Sequence, residues 1–185
     1  MKAHLKRLSP DYPIKPFDCK DTDLNGFLLE TDHTIANARH HAKELLAVTY
    51  LIEDEDTGRT IAYFSLLNDK IEREFTDDAV WKRISRNIPN AKRRQSHPAV
   101  KLGRLAVSCA YQRQNWGKMI IDLIKQWFTR ENKTGCRYIT VDALNSARGF
   151  YEKNGFSPLV ADDTDGDTIL MYYDLKKFMN EHSAQ

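Results

Sequence analysis

The chain predicts an α/β domain, and three observations carry that expectation. β-rich and helix-spaced segments alternate along most of the 185 residues. A mid-chain apolar run, 100–107, reads as a buried strand that leads into a tight turn. After the turn, Trp116, Met119, Ile120, Leu123, Ile124, Trp127 and Phe128 recur at the spacing of one helix face.

Taken in order, residues 4–8 read as a short edge strand, and Pro10, Pro13 and Pro16 then impose an extended path. Asp21 or Thr22 caps a helical segment in which Leu24, Phe27, Leu28, Ile35 and Ala38 face inwards, broken near Thr31-Asp32 into two helices. His40 and His41 point in different directions on a helix and read as surface residues rather than metal ligands. Residues 45–53 and 59–67 form a hairpin across Asp54-Glu55-Asp56-Thr57-Gly58. An amphipathic helix follows over 77–88, with Ala79, Val80, Ile84 and Ile88 apolar, and then a basic loop over 87–98. Beyond the long helix, Gly135 ends the helical pattern and 137–141 makes another buried strand. A short helix over 145–154 closes at Gly155, and 156–159 pairs with 168–175 across an acidic turn.

Composition narrows the class. With 41% hydrophobic and 29% charged residues the chain suits one globular domain, 1–185. No apolar stretch approaches the roughly 20 residues of a membrane span and the N-terminus lacks a secretory signal, so a cytoplasmic protein without membrane partners is expected. Cys19, Cys109 and Cys136 lie in no metal-ligand spacing, and no metal is expected. The net charge of +2 announces no nucleic-acid protein, yet 81–101 carries Lys82, Arg83, Arg86, Lys92, Arg93, Arg94 and Lys101 without one acid, a stretch that attracts phosphates.

The segment Tyr111-Gln112-Arg113-Gln114-Asn115-Trp116-Gly117-Lys118 joins the buried strand to the helix. Such a junction turns unpaired N–H groups and the positive end of a helix dipole towards one point, which suits the pyrophosphate of a nucleotide-containing cofactor. A dinucleotide-binding turn would lie near the start of the chain with G-x-G-x-x-G spacing, and neither holds. A mid-chain turn spaced Gln/Arg-x-x-Gly-x-Gly/Ala, with Gln112 and Gly117 at its ends, instead resembles the acyl-coenzyme A site of the GNAT N-acetyltransferase superfamily. Phe17-Asp18-Cys19, Leu46-Ala47-Val48-Thr49-Tyr50, Tyr63-Phe64-Ser65-Leu66, Leu102-Gly103-Arg104-Leu105-Ala106-Val107, Val141-Asp142-Ala143 and Phe150-Tyr151-Glu152-Lys153-Asn154-Gly155-Phe156 extend the likeness over nearly the whole chain. They resemble the branch containing bacterial acetyltransferase toxins that modify aminoacyl-tRNA.

The resemblance implies a GNAT fold: a central mixed, mostly antiparallel sheet flanked by helices, with a splayed central strand at the acyl-CoA site. It implies acetyl-CoA as co-substrate, held by Leu105, Ala106, Val107, Gln112, Arg113, Gln114, Asn115, Trp116, Gly117, Lys118 and Asn145, and Tyr151 as general acid. Asn115 stands where the superfamily turn usually has its first glycine, and asparagine is the next-best residue for a left-handed backbone. Packing beside Phe150 and Phe156 is the structural alternative for Tyr151. The partners implied are an amine acceptor, a small antitoxin with a ribbon-helix-helix DNA-binding part, and a second copy of the chain as a homodimer.

The acceptor can be argued from the residues themselves. Residues 99–109 contain no Asp or Glu that would serve as a base on the central strand. A lysine amine at about 10.4 needs help to lose its proton, whereas an α-amine at about 7.7–8.0 is partly neutral at physiological pH. Asp69 and Glu72, after the second hairpin strand, are alternative bases through water or simply solvated carboxylates. Three readings follow: an N-acetyltransferase acting on the α-amine of aminoacyl-tRNA, with Lys92, Arg93 and Arg94 on its phosphates; the same enzyme acting on a small amine or peptide; and a non-catalytic acyl-CoA-binding or interaction module.

Overall fold

The computed structural model describes residues 2–32, 34–86, 88–89, 94–130, 134–160 and 166–182. The chain runs β1 (Ala3–Arg7), α1 (Thr22–Leu29), α2 (Ala38–Lys43), β2 (Val48–Asp54), β3 (Arg59–Glu72), α3 (Asp78–Ile84), β4 (Ser96–Val107), α4 (Trp116–Thr129), β5 (Tyr138–Leu144), α5 (Arg148–Lys153), β6 (Ser157–Pro158), β7 (Thr168–Asp174) and α6 (Leu175–His182). Its strands follow the sheet order β1-β2-β3-β4-β5-β7-β6. Two compact units divide it: Met1–Leu67 with Leu102–Ile120, and Asn68–Lys101 with Ile121–Gln185. Among the described residues no helix is long and apolar enough to cross a membrane.

In the first unit the hairpin is as the turn residues require. β2 and β3 pair antiparallel, and Gly58 adopts φ +64° at the end of their turn. β1 adds antiparallel to β2, from Ala3↔Asp54 to Arg7↔Tyr50. Asp21 caps α1, its Oδ1 accepting the Leu24 N–H at 2.9 Å. The break after α1 is fixed by Glu30, whose carboxylate accepts the N–H groups of Thr31 and Asp32, and α2 restarts on an Asn37 cap. Phe27, Leu28, Ala38, Leu51, Tyr63 and Ala106 form the core here. Ile35, expected inwards, is half exposed because it lies in the connector, where helical spacing no longer applies. The strand expected from residue 45 starts at Val48: Leu45 is left-handed at φ +57°, and the amides of Leu46 and Ala47 both donate to the His41 carbonyl. His41 is half-buried, edge-on to Phe27 at 5.3 Å.

In the second unit β5 pairs antiparallel with β7 along its whole length, and β6 adds to β7. β4 (Ser96–Val107) runs parallel to β5 from Ala99↔Tyr138 to Lys101↔Thr140. Ile71, Trp81, Ile84, Ala99, Tyr138, Leu159 and Tyr172 make the core. The helix expected over 77–88 ends at Ile84, and Ile88 lies in a following turn, its N–H donating to the Ser85 carbonyl. β3 extends to Glu72, so Asp69 and Glu72 lie within the strand rather than after it.

Helix α4 buries Trp116, Ile120, Ile121, Ile124 and Lys125, whereas Met119 is 53% exposed. The inward stripe is therefore rotated from the one that apolar spacing alone predicts. Its buried ammonium is satisfied: Lys125 Nζ donates to the Asn154 carbonyl at 2.9 Å and lies over the Tyr173 ring at 4.1 Å.

Candidate functional site

The turn before α4 is built from the strand end outwards. The Ser108 N–H donates to the Ile61 carbonyl and the Cys109 N–H to the Asp18 carbonyl, both at 2.8 Å, so the chain leaves β4 pinned on two sides. Tyr111 is buried and its hydroxyl donates to Asp54 Oδ2 at 2.9 Å, with Thr57 Oγ1 also at 2.9 Å. Asp54 is itself buried; burial pushes its carboxyl up, but the bonds from Tyr111, Thr57 and the nearby amides outweigh this and hold it below the usual range. The start of the turn is thus tied to the β2–β3 hairpin by a charge-assisted hydrogen bond. Sequence reading missed Tyr111 as an anchor; its partners lie more than fifty positions away.

Within the turn, Gln112 Nε2 donates back to the Val107 carbonyl at 3.0 Å, and Gln114 Nε2 to the Ala110 carbonyl at 3.2 Å. Arg113 (φ +62°) and Asn115 (φ +64°) are both left-handed. The asparagine was expected to tolerate this conformation; the arginine was not singled out, and a left-handed backbone costs such a residue roughly 1–2 kcal/mol. Alternation of this kind folds successive N–H groups into a concavity that accepts anions. The Asn115 carbonyl accepts the Met119 N–H at 3.0 Å and so opens α4; the amides of Trp116 and Gly117, the first of the helix, donate to no backbone carbonyl among the described residues and lie at its open end. Gln112, Arg113, Gln114, Asn115 and Lys118 line the turn and the first turn of α4, and Trp116 is buried. Leu105 and Val107 are half-buried, and Ala106 is in the core of this unit. These residues fit a pyrophosphate: a positive helix end and a backbone concavity, with the Arg113 cation beside them.

Two further candidates lie in the second unit. Asn145 follows β5; its Nδ2 donates to the Gly166 carbonyl at 2.8 Å and its N–H to the Asp167 carbonyl at 3.0 Å. Tyr151 is carried by α5, which closes where Gly155 adopts φ +86° and where a Cβ would stand 3.0 Å from the Tyr173 ring. Its ring is edge-on to Phe150 at 5.2 Å and Phe156 at 5.4 Å, and only 7% of the residue is exposed. Burial pushes its phenol up to about 12. Among the described residues the hydroxyl has no hydrogen-bond partner. The ring packs between Phe150 and Phe156, as the structural alternative expects, and the phenol is protonated at neutral pH.

The basic stretch is mixed. Lys92 and Arg93 lie outside the described residues. Lys82, Arg83, Arg86 and Arg94 are at or near the surface, with Arg83 Nε donating to the Tyr172 hydroxyl at 3.1 Å. Lys101 is instead engaged, its Nζ 2.5 Å from Asp142 Oδ2. Among the described residues no group of three or more His, Cys, Asp or Glu side chains could hold a metal ion.

With this geometry in place, the GNAT acetyltransferase domain family matches residues 46–158. The chain belongs to this family. It is therefore a GNAT acetyltransferase, and the seven-stranded, mostly antiparallel sheet with its short parallel β4–β5 ladder is the GNAT fold expected from the motifs. No curated protein sequence matches the chain. Among solved structures it is similar to a tyrosine-to-phenylalanine mutant of KacT, at 26% identity and TM-score 0.78, covering 98% of this chain and 99% of that one. It shares its fold with AtaT complexed with acetyl-methionyl-tRNAfMet, at 23% identity and TM-score 0.76, covering 97% of this chain and 99% of that one. A tyrosine-to-phenylalanine mutant of the AtaT toxin, bound to the C-terminus of the antitoxin AtaR and acetyl-CoA, has the fold too, at 22% identity, TM-score 0.69 and 97% coverage of both chains.

Proposed function

We propose that this acetyltransferase moves an acetyl group from acetyl-CoA to a primary amine, the α-amino group of an aminoacyl-tRNA being the acceptor class. The observation that carries the donor is the turn at 112–118, where left-handed Arg113 and Asn115 lead into the first amides of α4. In this reading those amides bind the pyrophosphate, the backbone at Leu105, Ala106 and Val107 takes the pantetheine, and Asn145 borders the cofactor. When the amine attacks the thioester carbon, a C–N bond forms and the C–S bond breaks. Tyr151 then gives its phenolic proton to the departing thiolate and recovers one from solvent. The burial that raises the phenol keeps that proton in place at neutral pH.

The acceptor is supported from two sides. The central strand offers no carboxylate, which favours an amine that is partly neutral already. AtaT, similar in fold, is known in complex with an acetylated aminoacyl-tRNA and with an antitoxin. An antitoxin partner for this chain belongs to the same proposal, as does phosphate binding by Lys92, Arg93 and Arg94. A small amine or peptide acceptor is the second reading, favoured by the engagement of Lys101 with Asp142, which removes one cation from the basic stretch.

Transfer of labelled acetyl from acetyl-CoA to charged tRNA, uncharged tRNA and a panel of amines decides between them. Label on charged tRNA alone supports the first reading, and label only on free amines the second. Replacing Arg93 and Arg94 together by Ala should weaken charged-tRNA binding and lower its salt slope by about 0.9 for each phosphate no longer neutralised, with acetyl-CoA affinity unchanged. Unaltered kinetics across a salt series would return the stretch to a solvated loop.

A further inference from the structure

Two arginines use the same pair of donors differently. Arg137 closes its fork on one carboxylate, Nε donating to Asp174 Oδ1 at 3.1 Å and Nη2 to Oδ2 at 2.9 Å. Arg104, on β4 in the first unit, has the same fork half filled. Its Nη2 lies 3.4 Å from Asp23 Oδ2, and its Nε–H is buried with no hydrogen-bond partner among the described residues. Asp23 is a weak holder, because 3.4 Å is well beyond the roughly 2.7–2.9 Å of a charge-assisted hydrogen bond and its side chain is 76% exposed. The guanidinium is fixed all the same: its Cζ stands 4.5 Å from the centre of the Phe27 ring, which belongs to the core of this unit. A buried donor left unpaired costs stability, so the half-filled fork is a poor solution for folding and a ready one for an anion with two oxygens.

We propose that Arg104 binds the phosphodiester nearest the aminoacyl ester of the acceptor, displacing Asp23 and closing its fork on two phosphate oxygens. The proposal rests on the reading of the protein as an aminoacyl-tRNA acetyltransferase and names a residue that holds the acceptor's end. A ligand oxygen that takes the place of Asp23 at Nη2 brings a second oxygen to the Nε–H, because the two N–H bonds of the fork run side by side. The placement follows from β4. In that reading the pyrophosphate lies at the turn beyond Val107 and the pantetheine runs back along Val107, Ala106 and Leu105, so the acetyl end comes towards Arg104, roughly 3.3 Å further along the strand. The turn, this part of β4 and α1 with Asp23 and Phe27 all belong to the first unit. In an aminoacyl-tRNA the amine is carried by an ester on the terminal ribose, and the nearest anion is the phosphodiester on the other side of that ribose, which suits a long cationic side chain beside the acetyl end.

The test is steady-state kinetics at saturating acetyl-CoA with two minimal acceptors, glycyl-adenosine and its 5′-phosphate. Wild type should show a KM for the phosphorylated ester lower by roughly 10- to 100-fold, the range of a charge-assisted hydrogen bond. Arg104→Gln should abolish that preference, with acetyl-CoA affinity by calorimetry unchanged. With charged tRNA the same variant should lower the salt slope of binding by about 0.7, the share of one single-strand phosphate. Asp23→Asn removes the competing carboxylate from an exposed position, so it should lower the KM of the phosphorylated ester alone, and it decides the matter if Arg104→Gln fails to fold. A structural role for Arg104 would change both esters alike. Equal wild-type KM values for the two esters, or a phosphate preference that survives in Arg104→Gln, overturn the assignment. If the wild-type protein acetylates neither ester nor charged tRNA, the aminoacyl-tRNA reading itself fails before any variant is made.

Discussion

Residues 112–115 and Tyr151 are opposite solutions to holding a functional group. The turn is exposed and polar, kept in shape by Gln112 and Gln114 bonding back to the backbone and by Tyr111 bonding to Asp54. What it offers a ligand is amide N–H groups, which almost any side chain would leave in place. Tyr151 is buried between Phe150 and Phe156, and what it offers is one hydroxyl. In the proposed function, binding depends on backbone conformation and open space, and chemistry on a single atom of a side chain. Substitutions should separate the two.

The largest effect on the binding side is expected from Gly117→Glu. Acid in the first turn of a helix and the loss of a helical glycine both favour α4, so the fold should be retained or gain a few tenths of a kcal/mol. The new carboxylate would nevertheless occupy and repel the pyrophosphate, and calorimetry should detect no acetyl-CoA binding. Wild-type affinity in this variant would remove the cofactor site from the turn.

A smaller effect separates the regions by pH. The turn's N–H groups do not titrate, whereas the second unit contains His97, 2% exposed, stacked on Trp81 at 4.7 Å and 3.0 Å from Ser85 Oγ through Nε2. Burial lowers its pKa, with Arg94 and Arg137 adding to the shift. His41 of the first unit is lowered as well, by burial, then by Arg104 and His40. The unfolded chain therefore binds more protons than the folded one just below the ordinary histidine value of about 6.5. Stability should be complete above that pH and fall as pH drops towards 5. Urea midpoints measured between pH 8 and 5 should show this, with a shallower fall for His97→Gln. An unchanged slope would mean that His97 is protonated in the folded protein.

The smallest effect is expected at Asn115. Its φ of +64° is one that glycine adopts without strain, so Asn115→Gly should bind acetyl-CoA at least as tightly as wild type. A loss of tenfold or more, by calorimetry, would show that the asparagine side chain itself touches the cofactor.

Local grammar made much of this legible. The Asp21 cap, the hairpin turn ending in Gly58, the strand–turn–helix junction and the Gly155 stop are each written in a few adjacent residues, and each stands where the sequence placed it. What could not be read depends on partners distant in sequence. Apolar spacing cannot tell that α4 turns Met119 outwards and Ile121 inwards, or that Lys125 is buried because the Asn154 carbonyl and the Tyr173 ring receive its ammonium. Tyr111 acquires its anchoring role from Asp54, 57 positions away. The candidate site was legible where it is backbone, in a turn, and illegible where it depends on which side chains the sheet brings together.

The most direct test of that division is Tyr151→Phe, with kcat and acetyl-CoA affinity measured on the same preparation. The substitution keeps the ring and its packing and removes only a hydroxyl that has no protein partner among the described residues. With acetyl transfer limiting turnover, kcat should fall by about 10²- to 10⁴-fold while calorimetric affinity for acetyl-CoA and the unfolding midpoint stay at wild-type values. A kcat within threefold of wild type would contradict the account, because the thiolate would then take its proton from elsewhere and Tyr151 would be a core residue only.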